Sequence, residues 1–197
     1  MYVSCIFLLT GYIDNNLPSK ALNLFEQESF ELNKVLYVIM FSACASLSNQ
    51  RAVELGNKLF RQIPTVFKDD IVVKGSLINM LVKFGQIEDA EKIFSETKQR
   101  NINLYGSLMN GYNINHQPRK CLSLLSEIDQ HQLSLNEALY LILINAASQI
   151  GLRSVSLKIA DRIPRDIRKS LHIKTGLMNM WACDAFSRDD SNKNFSR

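Results

Sequence analysis

LINMLVKFGQIEDAEKIF, residues 77 to 94, decides how this chain folds. Apolar residues at 77, 78, 81, 82, 84, 87, 90, 93 and 94 follow the spacing of two short amphipathic helices parted at Gly85. Nearly the same outline occurs twice more, as LLTGYIDNNLPSKALNLF at 8 to 25 and LMNGYNINHQPRKCLSLL at 108 to 125. Recurrence of one two-helix outline is the mark of a repeat architecture, in which no single hairpin buries its own apolar face.

The helix-opening strings LLTGY, LINML, LMNGY and LMNMW begin at 8, 77, 108 and 177, with steps of 69, 31 and 69. FSACASLS at 41 is answered by INAASQIG at 144, and RQIP at 61 by DRIP at 161. A unit of about a hundred residues, holding three helical hairpins, is therefore used twice. The register places hairpins at 2–33, 34–70, 71–101, 102–136 and 137–170, with a partial sixth at 171–185 and a polar, disordered tail at 186–197. Each second helix carries a small residue at its middle (Ala21, Gly56, Ala90, Cys121, Ser156), with Phe25, Phe60, Phe94, Leu125 and Ala160 one turn further along the same face. Pro18 and Pro118 suit the first turn of a helix, Pro64 and Pro164 the end of one, and Gly85 and Gly151 the left-handed residue that closes a first helix. The fold expected is all-α, a right-handed solenoid of stacked helix-turn-helix hairpins. Neither end carries a polar capping repeat.

Composition excludes several classes. At 46% apolar and 21% charged the chain is an ordinary globular one. The longest early apolar run, Cys5 to Leu9, is too short to span a bilayer and follows no basic segment, and the first lysine is Lys20. No membrane partner and no targeting segment are expected. Cys5, Cys44, Cys121 and Cys183 lack any C-x-x-C spacing, which points to reduced, buried thiols and an intracellular setting. His116, His131 and His172 pair with no ligand at metal spacing, so neither metal nor cofactor is expected. No phosphate-binding loop or nucleophile elbow occurs, which leaves no catalytic residue and no small-molecule substrate. The net charge of +4 is concentrated in residues 153 to 174, where seven basic residues face Asp161 and Asp166. Trp181 reads as a core residue of the last first helix.

Residues 102 to 136 resemble a standard pentatricopeptide repeat, residues 71 to 101 its short variant and residues 34 to 70 its long variant. Alternation of the three is the plant-type arrangement. The resemblance implies single-stranded RNA bound one nucleotide per repeat along the concave face of the solenoid, with an RNA-processing or editing enzyme as partner and a mitochondrial setting. It gives base reading to the fifth and last residues of each repeat, with the second packing against the base. The last residues are Asn33, Asp70, Asn101, Asn136 and Ser170; all are polar, and all are also preferred helix N-caps. Fifth positions hold Ile6, Val38, Gly75, Gly106, Leu141 and Thr175, of which Gly75, Gly106 and Thr175 are the candidates for base contact. Lys83 matches the family's phosphate contact, whereas Asp14, Ile114 and Cys183 stand at the equivalent places. The H-x-E and C-x-x-C pattern of the deaminase domain that ends some of these proteins is missing, so editing chemistry would come from elsewhere. Apolar fifth positions and near-neutral early repeats leave open a protein–protein scaffold, and the polar ending leaves open a remnant of a longer array.

Overall fold

In a computed structural model, residues 2–28 and 30–193 are described, with side chains over 6–28 and 30–185. Every regular element among them is helical. The first helices are α1 (Tyr2–Asp14), α3 (Lys34–Leu47), α6 (Ile71–Lys83), α8 (Ile102–Ile114), α10 (Glu137–Ile150) and α12 (Leu171–Lys193). Their partners are α2 (Pro18–Gln27), α4 (Gln50–Gln62), α7 (Ile87–Ser95), α9 (Pro118–Gln130) and α11 (Arg153–Arg162). A short α5 (Thr65–Lys68) follows α4, and a 3₁₀ turn (Ile167–Lys169) follows α11. The expected all-α fold of repeated helical hairpins is thus observed. Packing divides the chain into two compact units, the first ending at Gly111 and the second starting at Tyr112.

Local chemistry sets the hairpin breaks. Pro18 and Pro118 occupy the first turns of α2 and α9, where a missing N–H costs nothing. At three of the tight turns an N–H folds back five residues, from Leu17 to the Tyr12 carbonyl, from Gln86 to Leu81 and from Gln117 to Tyr112. Gly85 (φ 77°) and Gly151 (φ 65°) take the left-handed conformation, and Asn16, Ser48, His116 and Gln132 adopt it without being glycine. Pro64 and Pro164 follow the ends of α4 and α11, as their lack of a donor requires.

The small residues do what close packing asks of them. Ala21, Gly56, Ala90, Cys121 and Ser156 are all buried. In the first unit a Cβ on Gly56 would lie 2.6 Å from Met80 Sδ and 2.9 Å from Phe84 Cε2, so a side chain there would have to push those two aside. Of the bulky residues one turn on, Phe94 and Ala160 are buried and Phe25, Phe60 and Leu125 half-buried. In the second unit the buried Ser156 hydroxyl donates to Asp184 Oδ1 (3.1 Å), tying α11 to α12. The duplication also survives in detail. Tyr37 donates its hydroxyl to the Gln62 carbonyl (3.2 Å) in one unit, and Tyr140 donates to the Arg162 carbonyl (3.1 Å) in the other.

Three expectations are corrected. The disordered tail placed at 186–197 is helical backbone through Lys193, because no Gly or Pro follows Gly176 to stop α12; residues 194–197 lie outside the described set. Trp181 is exposed rather than core, since no following hairpin covers that face among the described residues. Cys44 and Cys121 are buried, with burial pushing both thiols up to about 12, but Cys183 is exposed; the side chain of Cys5 lies outside the described residues. No helix among the described residues is long and apolar enough to cross a membrane.

Candidate nucleic-acid interface

Each first helix begins at the residue after a repeat's last position, so its unpaired N–H groups demand an acceptor there. Asn33 Oδ1 accepts from the Leu36 N–H (2.9 Å), Asn101 Oδ1 from Leu104 (2.9 Å) and Asn136 Oδ1 from Leu139 (3.0 Å). Asp70 Oδ1 accepts from Val72 (2.9 Å) and Val73 (3.2 Å). Ser170 departs from the expected cap: its hydroxyl donates to Glu137 Oε1 at 2.5 Å, because a carboxylate is a stronger acceptor than any group in its own turn.

Capping leaves the five residues chemically unequal. In Asn33, Asn101 and Asn136 the cap uses the carbonyl oxygen, and among the described residues no acceptor holds Nδ2, so each keeps two amide donors. Asp70 has no donor, and its second oxygen is taken by Lys34 Nζ at 3.0 Å. Ser170 is committed to Glu137, which also stands 3.4 Å from His172 Nδ1. Both tied residues are held by the first residue of their own repeat. The sequence carries that signal: Lys34 and Glu137 are charged where Ile71 and Ile102 open the others.

The Lys34 ammonium beside Asp70, helped by the Val73 and Val72 N–H groups, holds its carboxyl below the ordinary 3.8. A depressed carboxylate stabilises the fold above its unfolded value, and that stabilisation fades as pH falls through the folded one. Asp70→Asn keeps a cap of equal quality and removes the titration. Its stability should fall less than that of the wild type between about pH 6 and about pH 3, read by urea midpoints; parallel curves would assign the acid limb to other groups.

In the first unit the fifth and last positions of one repeat meet. Gly75 and Asn101 line a single depression of about 270 Å³, together with Val72 at the second position of the same repeat. Ser42 of α3, Ser76 and Asn79 of α6, and Asn103 and Ser107 of α8 complete most of its wall, and no charged side chain lines it. Val72 stands where the resemblance puts the residue that packs against the base, although an aliphatic residue in a first turn reads by itself as core; here it is exposed. Gly106 is half-buried in the first unit and Asn136 belongs to the second. Thr175 is exposed on α12, and Lys83 is exposed in the last turn of α6. His131 Nε2 stands 3.9 Å from Glu127 Oε1, so two of the three histidines lie near a carboxylate, against expectation. No metal-binding cluster occurs among the described residues.

The fold and its row of polar caps define a helical-repeat protein with an uncharged polar groove in its first unit. Comparison with known proteins narrows the class. Residues 72–102 and 104–133 match the family described as PPR repeat. The chain is 27% identical to pentatricopeptide repeat-containing protein At3g20730 of Arabidopsis thaliana over 81% of its own length and 29% of the relative's. It is 29% identical to pentatricopeptide repeat-containing protein At3g49170, chloroplastic, over 90% of its length and 20% of that protein. To At5g39680, of the same description and plant, it is 28% identical over 95% and 27%. These matches support the pentatricopeptide-repeat family for the chain, which spans less than a third of each of these relatives.

Proposed function

We propose that the chain binds single-stranded RNA through the helix-opening ends of its repeats and presents it to a separate processing or editing enzyme. The observation that carries this reading is the meeting of Val72, Gly75 and Asn101 in one uncharged depression. A base needs an apolar face to rest on and edge groups to bond, and the depression supplies Val72 for the first and the Asn101 amide for the second. Gly75 adds no side-chain donor but lets a base approach the backbone. The readers are Asn33, Asn101 and Asn136; Asp70 and Ser170 act in holding repeats 34–70 and 137–170. Gly106 and Thr175 are candidate base contacts of lesser chemistry, and Lys83 meets phosphate. The alternating repeat lengths and the Arabidopsis relatives favour the plant-type subfamily, and an organelle as the place of action. One relative's name gives the chloroplast, where the resemblance alone pointed to the mitochondrion.

Asn101→Asp separates reading from capping. The two residues cap about equally, so stability should hold within a few tenths of a kcal/mol, while the Nδ2 donors are lost. Selection from a randomised RNA pool should then show preference at one nucleotide changed by roughly 1 to 3 kcal/mol, as for bidentate base contacts. Binding should weaken with salt at a log–log slope of about −0.7 per phosphate met. An unchanged preference reduces Asn101 to a cap, and no retention of RNA at low salt removes the reading altogether.

A further inference from the structure

In three hairpins the fourth residue of the first helix is a tyrosine packed against a second helix. Tyr37 donates its hydroxyl to the Gln62 carbonyl at the end of α4, its own partner helix, and Tyr140 donates to the Arg162 carbonyl at the end of α11. Tyr105 meets Phe94 of the preceding α7 edge-on, with centroids 5.1 Å apart. All three tyrosines are buried. In the third hairpin the same address holds Lys74.

A lysine does not fill the place of a ring. Beside Lys74 lies a cavity of about 450 Å³, walled by Phe60 of α4, Ile63 just beyond it, Leu77 of α6 and Ile93 of α7. That size is within the range of ligand pockets, about 300 to 1,000 Å³. Phe60 has the α4 address that Phe94 has in α7, yet no aromatic ring meets Phe60 among the described residues. Lys74 is buried and places its ammonium 3.1 Å from Asp69 Oδ1, a carboxylate that is itself exposed, so its charge is met from the surface side. Asp89 and Glu96 also line the cavity, and neither has a hydrogen bond or ion pair among the described residues. Residues 34–101, which make the hairpins on both sides, are all described, so the cavity lies inside the repeat array and not at an end of it.

We propose that this cavity binds a phenol, whose ring takes the place against Phe60 that Tyr105 takes against Phe94. The apolar walls bury the ring, Phe60 gives it an aromatic partner, and Lys74 sets a cation near its face. The hydroxyl donates to Glu96 or Asp89, a charge-assisted bond. Two sources supply this chemistry, a free small phenol and the tyrosine side chain of another protein. The cavity shares no lining residue with the depression around Gly75 and Asn101, so the proposal stands apart from RNA binding.

Amide chemical shifts of the full chain, followed by NMR during titration with p-cresol, test this. Phe60, Ile63, Leu77 and Ile93 should shift together and saturate. 4-Methylanisole keeps the ring but lacks the donor and should bind about tenfold more weakly, the worth of a hydrogen bond to a charged group; 4-methylcyclohexanol keeps the hydroxyl but lacks the ring and should not saturate. A blocked Gly-Tyr-Gly peptide separates the sources: tighter binding than p-cresol assigns the site to a tyrosine of another protein, weaker binding to a free phenol. Lys74→Tyr fills the cavity from within and should abolish the p-cresol response. If circular dichroism shows that variant unfolded, Ile93→Trp, at a half-buried wall position, fills it from α7 with the same expected loss. No saturable shift at these residues, equal affinity for the three compounds, or p-cresol binding that survives in the folded, filled variant overturns the proposal.

Discussion

Phe94→Ala is expected to destabilise the first unit by about 3 to 5 kcal/mol, the cost of deleting a buried aromatic side chain and leaving its cavity. Phe94 is buried in α7, one turn beyond Ala90, and its ring meets Tyr105 edge-on with centroids 5.1 Å apart and planes at 77°. The Arg100 guanidinium lies 4.5 Å from the same ring's centroid. That arginine is held by the chain it covers, its Nε donating to the Phe94 and Thr97 carbonyls at 3.1 Å each. Truncation therefore removes an apolar plug, an aromatic pair of about 0.5 to 1.5 kcal/mol and a cation over its face of about 0.5 to 1 kcal/mol. Against a total stability of about 5 to 15 kcal/mol the loss is large. Urea unfolding should show a lower midpoint at unchanged slope. Phe60→Ala, at the same address in α4 but half-buried, should cost less; a loss under about 1 kcal/mol at Phe94 would place the core elsewhere.

Residue 94 was readable because its repeat is bounded by local chemistry. Gly85 ends α6 and Asn101 opens α8, so the phase of the apolar residues between them follows from the chain alone. The same holds at Pro18, Pro118, Pro64 and Pro164. What escaped reading has no periodic signal. The short α5 spans four residues, too few to show a helical period, although the match of RQIP to DRIP marks where it and its 3₁₀ counterpart begin. The extension of α12 to Lys193 is hidden because Ser, Asp and Asn read as loop, yet each disfavours a helix interior by only a fraction of a kcal/mol. Trp181 shows a deeper limit: its spacing is that of a core residue, and burial depends on a neighbour that no property of the residue announces.

The candidate site divides in the same way. That every repeat ends in a polar residue is a local fact, and the caps at Asn33, Asp70, Asn101 and Asn136 follow from it. Asp70 lacks a donor by residue type, but that its second oxygen and the Ser170 hydroxyl are taken is decided by partners more than thirty residues away. Lys34 takes Asp70 and Glu137 takes Ser170, each pairing the first residue of a repeat with its last. Those two repeats thereby close on themselves, and the proposed groove chemistry falls to the asparagines that end the other hairpins. Val72 joins that groove by position alone, exposed at the mouth of the depression that Gly75 and Asn101 share.

Gly111→Val is expected to cost about 3 kcal/mol, at the upper end for forcing volume into a packed contact, while Gly11→Val in the matching motif stays within about 0.5 kcal/mol of wild type. A Cβ on Gly111 would come within 2.6 Å of Val82 Cβ and 3.0 Å of Cγ2, and Val82 is fully buried. Valine is branched at that carbon and stiff about χ1, so it has no flexible end to swing aside, and relief requires α6 and α8 to separate. Gly11 has no neighbour within 4 Å, and valine there even recovers a few tenths of a kcal/mol of helix propensity over glycine. The two substitutions share residue type, position within the helix and flanking Tyr, and differ in whether a neighbouring first helix packs against the glycine among the described residues. Paired urea unfolding therefore isolates the worth of close approach between neighbouring first helices. Equal losses at both sites would show that the glycines serve the helices singly and not their stacking.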